Sequence, residues 1–337
     1  MKAIGYIQSL PSTDPKSLFD FEAPKPVPGP NDLLVGVRAV SVNPVDTKIR
    51  MRAQGTEATP KILGFDATGV VEAIGSEVQY FKPGDEVFYA GTLGYQGSNA
   101  EFQLVDWRLA GHKPRTLGFA EAAALPLTSV TAWELLFDRL KIPLGKPQQA
   151  GSLLIIGASG GVGSILVQLA RRLTGVIVIG TASRPETQTW VLKNGAHHAV
   201  DHSKKLTDEV RRLGIQYVEY ILSLTHTHQH FDDIVELIAP QGHFALIDDP
   251  EPIDIRRFKV KSASLHWESM FTRSVFHTAD MIEQHRILEQ VSKLVDDGLL
   301  HTTLGQRGGK ITAENLRKAH QAIESQKSIG KIVLEGF

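Results

Sequence analysis

A chain of 337 residues is longer than a single hydrophobic core comfortably serves, which predicts two domains. A net charge of -1, with both signs interspersed, argues against nucleic-acid or membrane-surface binding driven by electrostatics. The sequence contains no cysteine, which excludes disulfides, thiolate catalysis, iron–sulfur clusters and zinc sites built with cysteine.

Short strand-like segments fill the first third of the chain and are separated by Pro and Gly. Closely spaced strands with this punctuation predict a β-rich, barrel-like domain. The Pro-dense stretch at 24–30 is typical of an extended loop rather than a linker between domains. The predicted strands are 1–7, 32–42, 68–74, 86–89 and 101–105.

A glycine-dense turn connects a strand to a helix in the middle of the chain. An apolar strand at 153–156 enters the turn at 157–163, a helix follows at 165–173, and a second strand spans 176–180. Glycine lets backbone N–H groups approach a pyrophosphate closely, so the pattern predicts a dinucleotide cradle. The alternative is an ordinary tight turn in another doubly wound protein. The expected cofactor contacts are Ala158, Ser159, Gly160, Gly161 and Val162.

The residues after the second strand favour one dinucleotide. An Asp or Glu at this point accepts hydrogen bonds from the ribose 2′-hydroxyl of NAD, whereas this chain has Ser183 and Arg184. A hydroxyl donor and a planar guanidinium suit a 2′-phosphate, so NADP(H) is the expected cofactor. The plainer interpretation is an exposed serine and arginine, and Glu186 lies nearby.

Alternating helices and strands continue after this point. Further strands at 199–201, 218–223, 242–247 and 263–266 would complete a six-stranded parallel sheet, which predicts an α/β Rossmann domain. Helices at 279–299 and 313–325 and a strand at 331–334 follow, and this last strand could return to the first domain. We therefore expect a β-rich domain at 1–124, completed by about 268–337, and a Rossmann domain at 125–267.

Three alternating histidines, His226, His228 and His230, follow the predicted fourth strand of the Rossmann sheet. In an extended segment they would share one face, an arrangement that can bind zinc or copper. Polar loops often contain solvated histidines, and the only acidic residues beside them are Asp232 and Asp233, so a native metal site is the minority interpretation.

Several short motifs in a fixed order resemble one known family, the medium-chain dehydrogenase/reductases, in the quinone-oxidoreductase-like branch that works without zinc. Each motif is weak alone, but their order and spacing make the combination specific. The matching segments are 41–46, 64–71, 82–87, 125–132, the 158–163 loop and 330–334.

The resemblance implies a GroES-like catalytic domain, a Rossmann cofactor domain and an active site in the cleft between them. It also implies a homodimer formed through the nucleotide-binding sheets and NADPH-dependent reduction of quinones, enones or related carbonyl compounds. Naming at the level of the family can attach the word zinc to such a protein, as in zinc-type alcohol dehydrogenase-like proteins, even where no metal is expected.

The family's zinc ligands lie near three places in this chain: Asn43, Phe65-Asp66 and either Leu127 or Thr128. Phenylalanine cannot bind a metal, and amide and aliphatic side chains are poor replacements. The sequence thus predicts a metal-free enzyme. Without a metal, hydrogen-bond donors must stabilise negative charge on the substrate, which favours enones and quinones because their product anions are delocalised.

By family position, Asn43, Asp46 and Lys48 lie near the nicotinamide and substrate. Lys48 either donates to a substrate oxygen or contacts a cofactor phosphate, and the plainer alternative is a solvated pair with Asp46. Tyr95, in a glycine-rich loop, is a second candidate donor or a packing residue, and the proton could also come from water.

Three more residues are expected beside the cofactor. Thr128 resembles the family threonine next to the nicotinamide, although it would also suit a helix N-cap. Arg273 and Lys331 lie in segments that resemble those approaching the nicotinamide and phosphates.

Two other functions stay open from sequence alone: a zinc-dependent alcohol dehydrogenase with unusual ligands, and a non-catalytic NADPH-binding protein. No apolar run approaches the ~20 residues that cross a bilayer, and the N-terminus lacks a signal-peptide pattern, so a cytoplasmic protein is expected. The expected partners are a small-molecule substrate and a second copy of the chain, with no nucleic acid and no membrane.

Overall fold

The computed structural model describes residues 1–147 and 150–337. The chain forms two compact units, one made of 1–130 and 271–337 and the other of 131–270. The sequence prediction put these boundaries at 124 and 267.

The N-terminal segment of the first unit is rich in strands. Its elements in chain order are β1 (Lys2–Gln8), β2 (Phe19–Glu22), β3 (Asp32–Val42), α1 (Pro44–Arg52), β4 (Thr56–Ile62), β5 (Asp66–Ile74), β6 (Glu86–Ala90), β7 (Phe102–Asp106), a 3₁₀ turn (Trp107–Leu109), β8 (Ala110–His112), α2 (Phe119–Ala123) and α3 (Pro126–Trp133). The last residues of α3, from Thr131, and the π-helical turn that follows it (Glu134–Arg139) already belong to the second unit.

The second unit alternates strands and helices. Its elements are β9 (Ser152–Ile156), α4 (Gly161–Leu173), β10 (Ile177–Thr181), α5 (Pro185–Lys193), β11 (His198–Val200), α6 (Leu206–Arg211), β12 (Val218–Ser223), α7 (Thr227–Leu237), β13 (Ile238–Leu246), a 3₁₀ helix (Ile255–Lys261) and β14 (Ser264–Trp267).

The C-terminal segment completes the first unit. Its elements are α8 (Thr272–Val275), α9 (Glu283–Asp296), β15 (Leu304–Arg307), α10 (Ala313–Glu324) and β16 (Lys331–Glu335).

Strand β3 is the centre of the first unit. It is 11 residues long and almost wholly buried, because it pairs antiparallel with β5, β7 and β16. The larger sheet has the order β15-β16-β3-β5-β6-β8, and β2-β1-β4 form a smaller sheet. The pairing of β16 with β3, with Ile332 opposite Val42, brings the C-terminal strand beside the start of α1.

The second unit has the strand order of a full Rossmann domain. The order β11-β10-β9-β12-β13-β14 corresponds to 3-2-1-4-5-6, and every pairing in it is parallel. The helices cover apolar strands, so residues such as Leu154, Ile221 and Phe244 are fully buried in its core. This confirms the predicted α/β class with a Rossmann sheet.

The sequence did not predict four strands of the first unit, β2, β4, β8 and β15. Strands β2 and β15 have four residues each and β8 has three, which is too short for a clear local pattern, and β4 contains a proline. Tertiary pairing with β1, β6 and β16, rather than local preference, holds them in the sheets.

Candidate functional site

The glycine-dense loop lies between β9 and α4, where a parallel sheet presents the carboxyl ends of its strands. Gly160 is the N-cap of α4, a helix of 13 residues that begins at Gly161. The N–H groups of a helix's first turn have no intrahelical acceptor and carry the positive end of its dipole. The loop thus presents backbone donors suited to an anion, in the place that sequence predicted.

Two glycines of this loop have different surroundings. A Cβ on Gly163 would lie 2.5 Å from the Gly157 carbonyl oxygen and 2.6 Å from backbone atoms of Ala158, so only glycine allows α4 to pack this closely on the loop. A Cβ on Gly160 would approach only the Gly157 oxygen, at 3.6 Å. Gly160 is therefore less crowded than Gly163, and it is only partly buried, so a ligand can approach its backbone.

Ser183 and Arg184 follow β10. Arg184 is the N-cap of α5, its Nε lies 3.3 Å from Glu186 Oε1, and its side chain is 41% exposed. Its backbone N–H donates to Thr187 Oγ1 at 3.2 Å. The guanidinium therefore lies at the surface beside the end of the second Rossmann strand.

The three alternating histidines do not lie in an extended segment. His226 is the left-handed N-cap of α7, and His228 and His230 lie in its first turns. At helical spacing, side chains two residues apart point in different directions, so the shared face predicted for an extended segment does not form. Over residues 1–147 and 150–337, no group of three or more His, Cys, Asp or Glu side chains could hold a metal ion.

A buried cation occupies the centre of the first unit. Lys331, the first residue of β16, is 2% exposed, and its ammonium donates to the Val42 carbonyl oxygen at 3.0 Å, to Asp66 Oδ2 at 3.0 Å and to Asn43 Oδ1. An ammonium has three protons and accepts no hydrogen bond. Each proton thus has a partner within the protein, whereas the resemblance implied a contact of Lys331 with the nicotinamide or the phosphates of the cofactor, which stays a prediction.

The carboxylate that faces Lys331 has further donors. Asp66, at the start of β5, is fully buried. Its Oδ2 also accepts from Ser41 Oγ at 2.9 Å and from Asn43 Nδ2 at 2.7 Å, while Oδ1 accepts from the Leu127 backbone N–H at 2.7 Å. We call the set Ser41, Asn43, Asp66 and Lys331 the Lys331 node.

A second buried carboxylate, Asp46, borders the node. It accepts from the backbone N–H of Asn43 at 2.8 Å and of Gly64 at 2.9 Å. Burial raises the pKa of Asp46 to about 7, against the lowering effects of these hydrogen bonds and of the Lys331 charge. Gly64 has a φ of +112°, and a Cβ there would lie 2.3 Å from Ser98 Oγ, so this close approach needs glycine.

The node fixes the segments that carry two predicted site residues. Asn43 is the N-cap of α1, on which Lys48 lies half-buried one turn further on. Leu127, bound by Asp66, precedes Thr128 in α3. Thr128 is not an N-cap, because α3 begins at Pro126; its hydroxyl donates to the Leu125 carbonyl at 3.1 Å.

Tyr95 and Arg273 lie elsewhere in the first unit. Tyr95 is 50% exposed and lines a small cavity together with Thr92, Ser274 and His277. Arg273, in α8, has a mostly buried side chain whose Nε lies 3.0 Å from Asp280 Oδ2. The structure thus gathers Asn43, Asp46 and Lys331 in one place but gives Tyr95 and Arg273 different neighbours.

Two family models match the chain. An alcohol dehydrogenase GroES-like domain matches residues 29–133, and a zinc-binding dehydrogenase domain matches residues 161–287.

Similar proteins extend the match to the whole chain. A zinc-type alcohol dehydrogenase-like protein of Staphylococcus aureus is 42% identical over 99% of each chain, and a quinone oxidoreductase of Sus scrofa is 31% identical over 92% of this chain and 90% of its own. Among solved structures, a Rhizobium etli protein described as a candidate zinc-dependent alcohol dehydrogenase is 55% identical, with a TM-score of 0.96 over 100% of this chain and 98% of its own. A mycobacterial protein in complex with NADPH is 26% identical, with a TM-score of 0.82 over 99% of each chain.

The fold of each unit and the similar proteins indicate the same family. The chain belongs to the medium-chain dehydrogenase/reductase superfamily and is an oxidoreductase. In the described parts of the chain, no helix combines the length and apolar character needed to cross a membrane.

Several relatives carry zinc in their names, but the residues of the Lys331 node do not fit that metal. Zinc in proteins takes three or four ligands from Cys, His and carboxylate side chains. The node has one carboxylate and one amide, and the Lys331 ammonium lies on both. Phe65, next to Asp66, packs against Phe271 with ring centroids 5.4 Å apart instead of offering a ligand.

The resemblance already placed Asn43 and Asp66 together, at the positions of the family's zinc ligands, but sequence reasoning missed that Lys331 reaches both. Ser41 and Gly64 were not singled out as functional, although both lie within motifs that carried the resemblance. The missing signal was the pairing of β16 with β3, which no local pattern reveals because almost 290 residues separate the partners.

Proposed function

We propose that the protein is an NADPH-dependent reductase that delivers hydride to a quinone, enone or related carbonyl compound without a metal ion. The observation that carries this proposal is the Lys331 ammonium, which takes the acceptors a Lewis-acidic metal would need. A quinone oxidoreductase among the relatives supports the substrate class. Conjugated substrates also need less charge stabilisation, because their product anions are delocalised.

The proposed cofactor cradle is Ala158, Ser159, Gly160, Gly161 and Val162. Its support is the uncrowded backbone at Gly160 and the N–H groups without intrahelical acceptors expected at the start of α4. When bound, NADPH supplies the hydride.

Cofactor choice is assigned to Ser183 and Arg184. They follow the second Rossmann strand where NAD-preferring sites have a carboxylate, and the Arg184 side chain is partly exposed. A guanidinium and a hydroxyl together would donate to a 2′-phosphate. Glu186 beside Arg184 lowers the positive charge there, so we expect preference for NADPH rather than exclusion of NADH.

Among the candidate catalytic residues, we assign the donor role to Lys48. Its ammonium would donate a hydrogen bond to the substrate oxygen as negative charge develops there, and water would supply the proton. Asn43 and Asp46 have their polar atoms in hydrogen bonds within the first unit, so we propose that they position α1. Tyr95, Thr128 and Arg273 remain proposed contacts of substrate or cofactor.

We also propose a homodimer formed through the Rossmann sheet. Strand β14 is the last strand of that sheet, and its Trp267 is 57% exposed. Edge strands present unpaired N–H and C=O groups that a second copy can satisfy. Sedimentation at several protein concentrations tests this assignment.

The function is tested by following NADPH oxidation with a panel of quinones, enones, aldehydes and ketones, in buffer containing a chelator. We expect turnover with quinones or enones that exceeds turnover with saturated ketones, and no loss of rate on chelation. Turnover with simple alcohols and aldehydes that requires added zinc would support a zinc-dependent alcohol dehydrogenase. Tight NADPH binding with no oxidation by any compound would support a non-catalytic role.

A further inference from the structure

The acceptors around Lys331 form a compact site for a small cation. Three oxygens of different chemistry, a carboxylate, an amide and a backbone carbonyl, converge on one nitrogen that is almost wholly buried. A carboxylate as deeply buried as Asp66 is costly unless a positive charge and further donors accompany it. The site therefore requires a cation, and the chain supplies its own.

The ammonium is delivered by a rigid part of the fold. Lys331 begins β16, where its backbone N–H donates to the Thr303 carbonyl at 2.8 Å, and the following residue, Ile332, pairs with Val42 of β3. A side chain anchored in a sheet loses less freedom when it binds than one on a mobile loop. Because the ammonium is covalently part of the chain, its presence at the site does not depend on the concentration of any ion in solution.

The same cation links β16 to two other segments of the chain. It contacts the adjacent residues Val42 and Asn43, where β3 leads into α1, and Asp66 at the start of β5, and Asp66 in turn binds the backbone of Leu127 in α3. Helices α1 and α3 carry Lys48 and Thr128. A displacement at the node therefore moves both of these residues.

We propose that the Lys331 ammonium is a built-in substitute for a metal ion, and that it positions α1 and α3 for the reaction. This inference rests on the proposed function only for the part that concerns turnover. Lys331 is a positioning residue, because it is buried and acts through Asn43 and Asp66. The ligand that the site takes, when the lysine is removed, is a small monovalent ammonium ion.

The experiment is chemical rescue. Lys331→Ala removes the cation and leaves space beside Asp66, so we expect a lower melting temperature and at least about a 10-fold lower kcat. The Kd for NADPH should change less than about 3-fold, because most of its proposed contacts lie in the glycine-dense loop and after β10 in the other unit, and of the proposed cofactor contacts only Thr128 depends on the node. Methylammonium should then raise both the melting temperature and kcat of this variant.

Three controls make the rescue specific. Lys318→Ala removes an exposed lysine of α10 that pairs with Glu314 at the surface, and it should behave as wild type with or without methylammonium. Tetramethylammonium is too large for the space and has no N–H donor, so it should not rescue Lys331→Ala. Zinc chloride should not rescue it either, because the ligands are too few.

Rescue by zinc instead of methylammonium, or unchanged stability and kcat in Lys331→Ala, would overturn the inference. If that variant does not fold, Lys331→Met combined with Asp66→Asn removes both charges, and recovery of folding in the double variant supports the ion pair while continued failure contradicts it. If the wild type oxidises no NADPH, the proposed function fails, but the melting temperatures still test the cation site.

Discussion

The Lys331 node and the glycine-dense loop are both polar regions, but they differ in whether their hydrogen-bonding groups already have partners within the protein. The node closes on itself, because every proton of Lys331 and both oxygens of Asp66 have partners within the protein. The loop stays open to a ligand, because a Cβ on Gly160 would approach only the Gly157 oxygen, at 3.6 Å, and the first turn of α4 has donors without intrahelical acceptors. A closed region holds structure in place, whereas an open one can take a ligand.

The difference also separates two kinds of charge. The positive charge of the node is a full ammonium, fixed in place and used internally. That of the loop is the partial charge of a helix dipole, available to an incoming anion. Changes in the node should therefore affect stability first, and changes in the loop should affect cofactor binding first.

The largest expected effect comes from breaking the buried ion pair. Lys331→Met should cost about 3–5 kcal/mol of unfolding free energy, because it leaves the Asp66 carboxylate buried without its cation. Adding Asp66→Asn should cost less than the sum of the two single changes. Urea unfolding of the four proteins of this double-mutant cycle measures the coupling. Additive losses would show that the node is not a coupled pair.

The loop is tested by crowding it. Gly163→Val should weaken NADPH binding by about 100-fold or more, since the new side chain must displace backbone atoms at 2.5–2.6 Å. Gly160→Ala is the matched control for folding, because its Cβ has room, and it should keep wild-type stability. Fluorescence titration with NADPH measures the binding. Wild-type affinity in Gly163→Val would contradict the assigned cradle.

A buried histidine of the first unit predicts a pH effect. His320 in α10 is fully buried, Arg50 Nε donates to its Nδ1 at 3.3 Å, and burial lowers the pKa of His320 to about 3. The folded pKa lies below the ordinary value of 6.5, so the unfolded chain binds a proton first as the pH falls.

The contribution of His320 to the free energy of unfolding is complete above about pH 6.5. It falls by about 2 kcal/mol between pH 7 and pH 5. His320→Asn keeps an acceptor for Arg50 but does not titrate, so its stability should fall less over that range. Denaturant unfolding at the two pH values measures the difference. An equal fall in both proteins would place the pH dependence elsewhere.

The smallest expected effect concerns cofactor choice. Arg184→Asp should weaken NADPH binding by about 10-fold or more and NADH binding much less, because only NADPH has a 2′-phosphate. Arg172→Asp, at an exposed position of the last turn of α4, makes the same change of charge at the opposite end of that helix from the glycine-dense loop. Equal losses for both cofactors in Arg184→Asp would remove the phosphate assignment.

The sequence predicts the position of the glycine-dense loop but not the contacts of the Lys331 node. The loop could be located from sequence because its strand, turn and helix are consecutive and each has a local pattern. The node could not, because Lys331 reaches Asn43 only through the pairing of β16 with β3. The spacing of His226, His228 and His230 predicted a shared face only for an extended segment. The sequence did not reveal that α7 begins at Thr227, which turns these side chains in different directions.

The zinc content of the purified protein is the sharpest test of the proposal that this enzyme works without a metal ion. The protein is purified without added metal, its zinc is quantified by mass spectrometry, and NADPH-dependent reduction of the best quinone or enone is measured before and after chelation. The account predicts far less than one zinc ion per chain and an unchanged rate. One zinc ion per chain, with activity lost on chelation and restored by zinc, would contradict it.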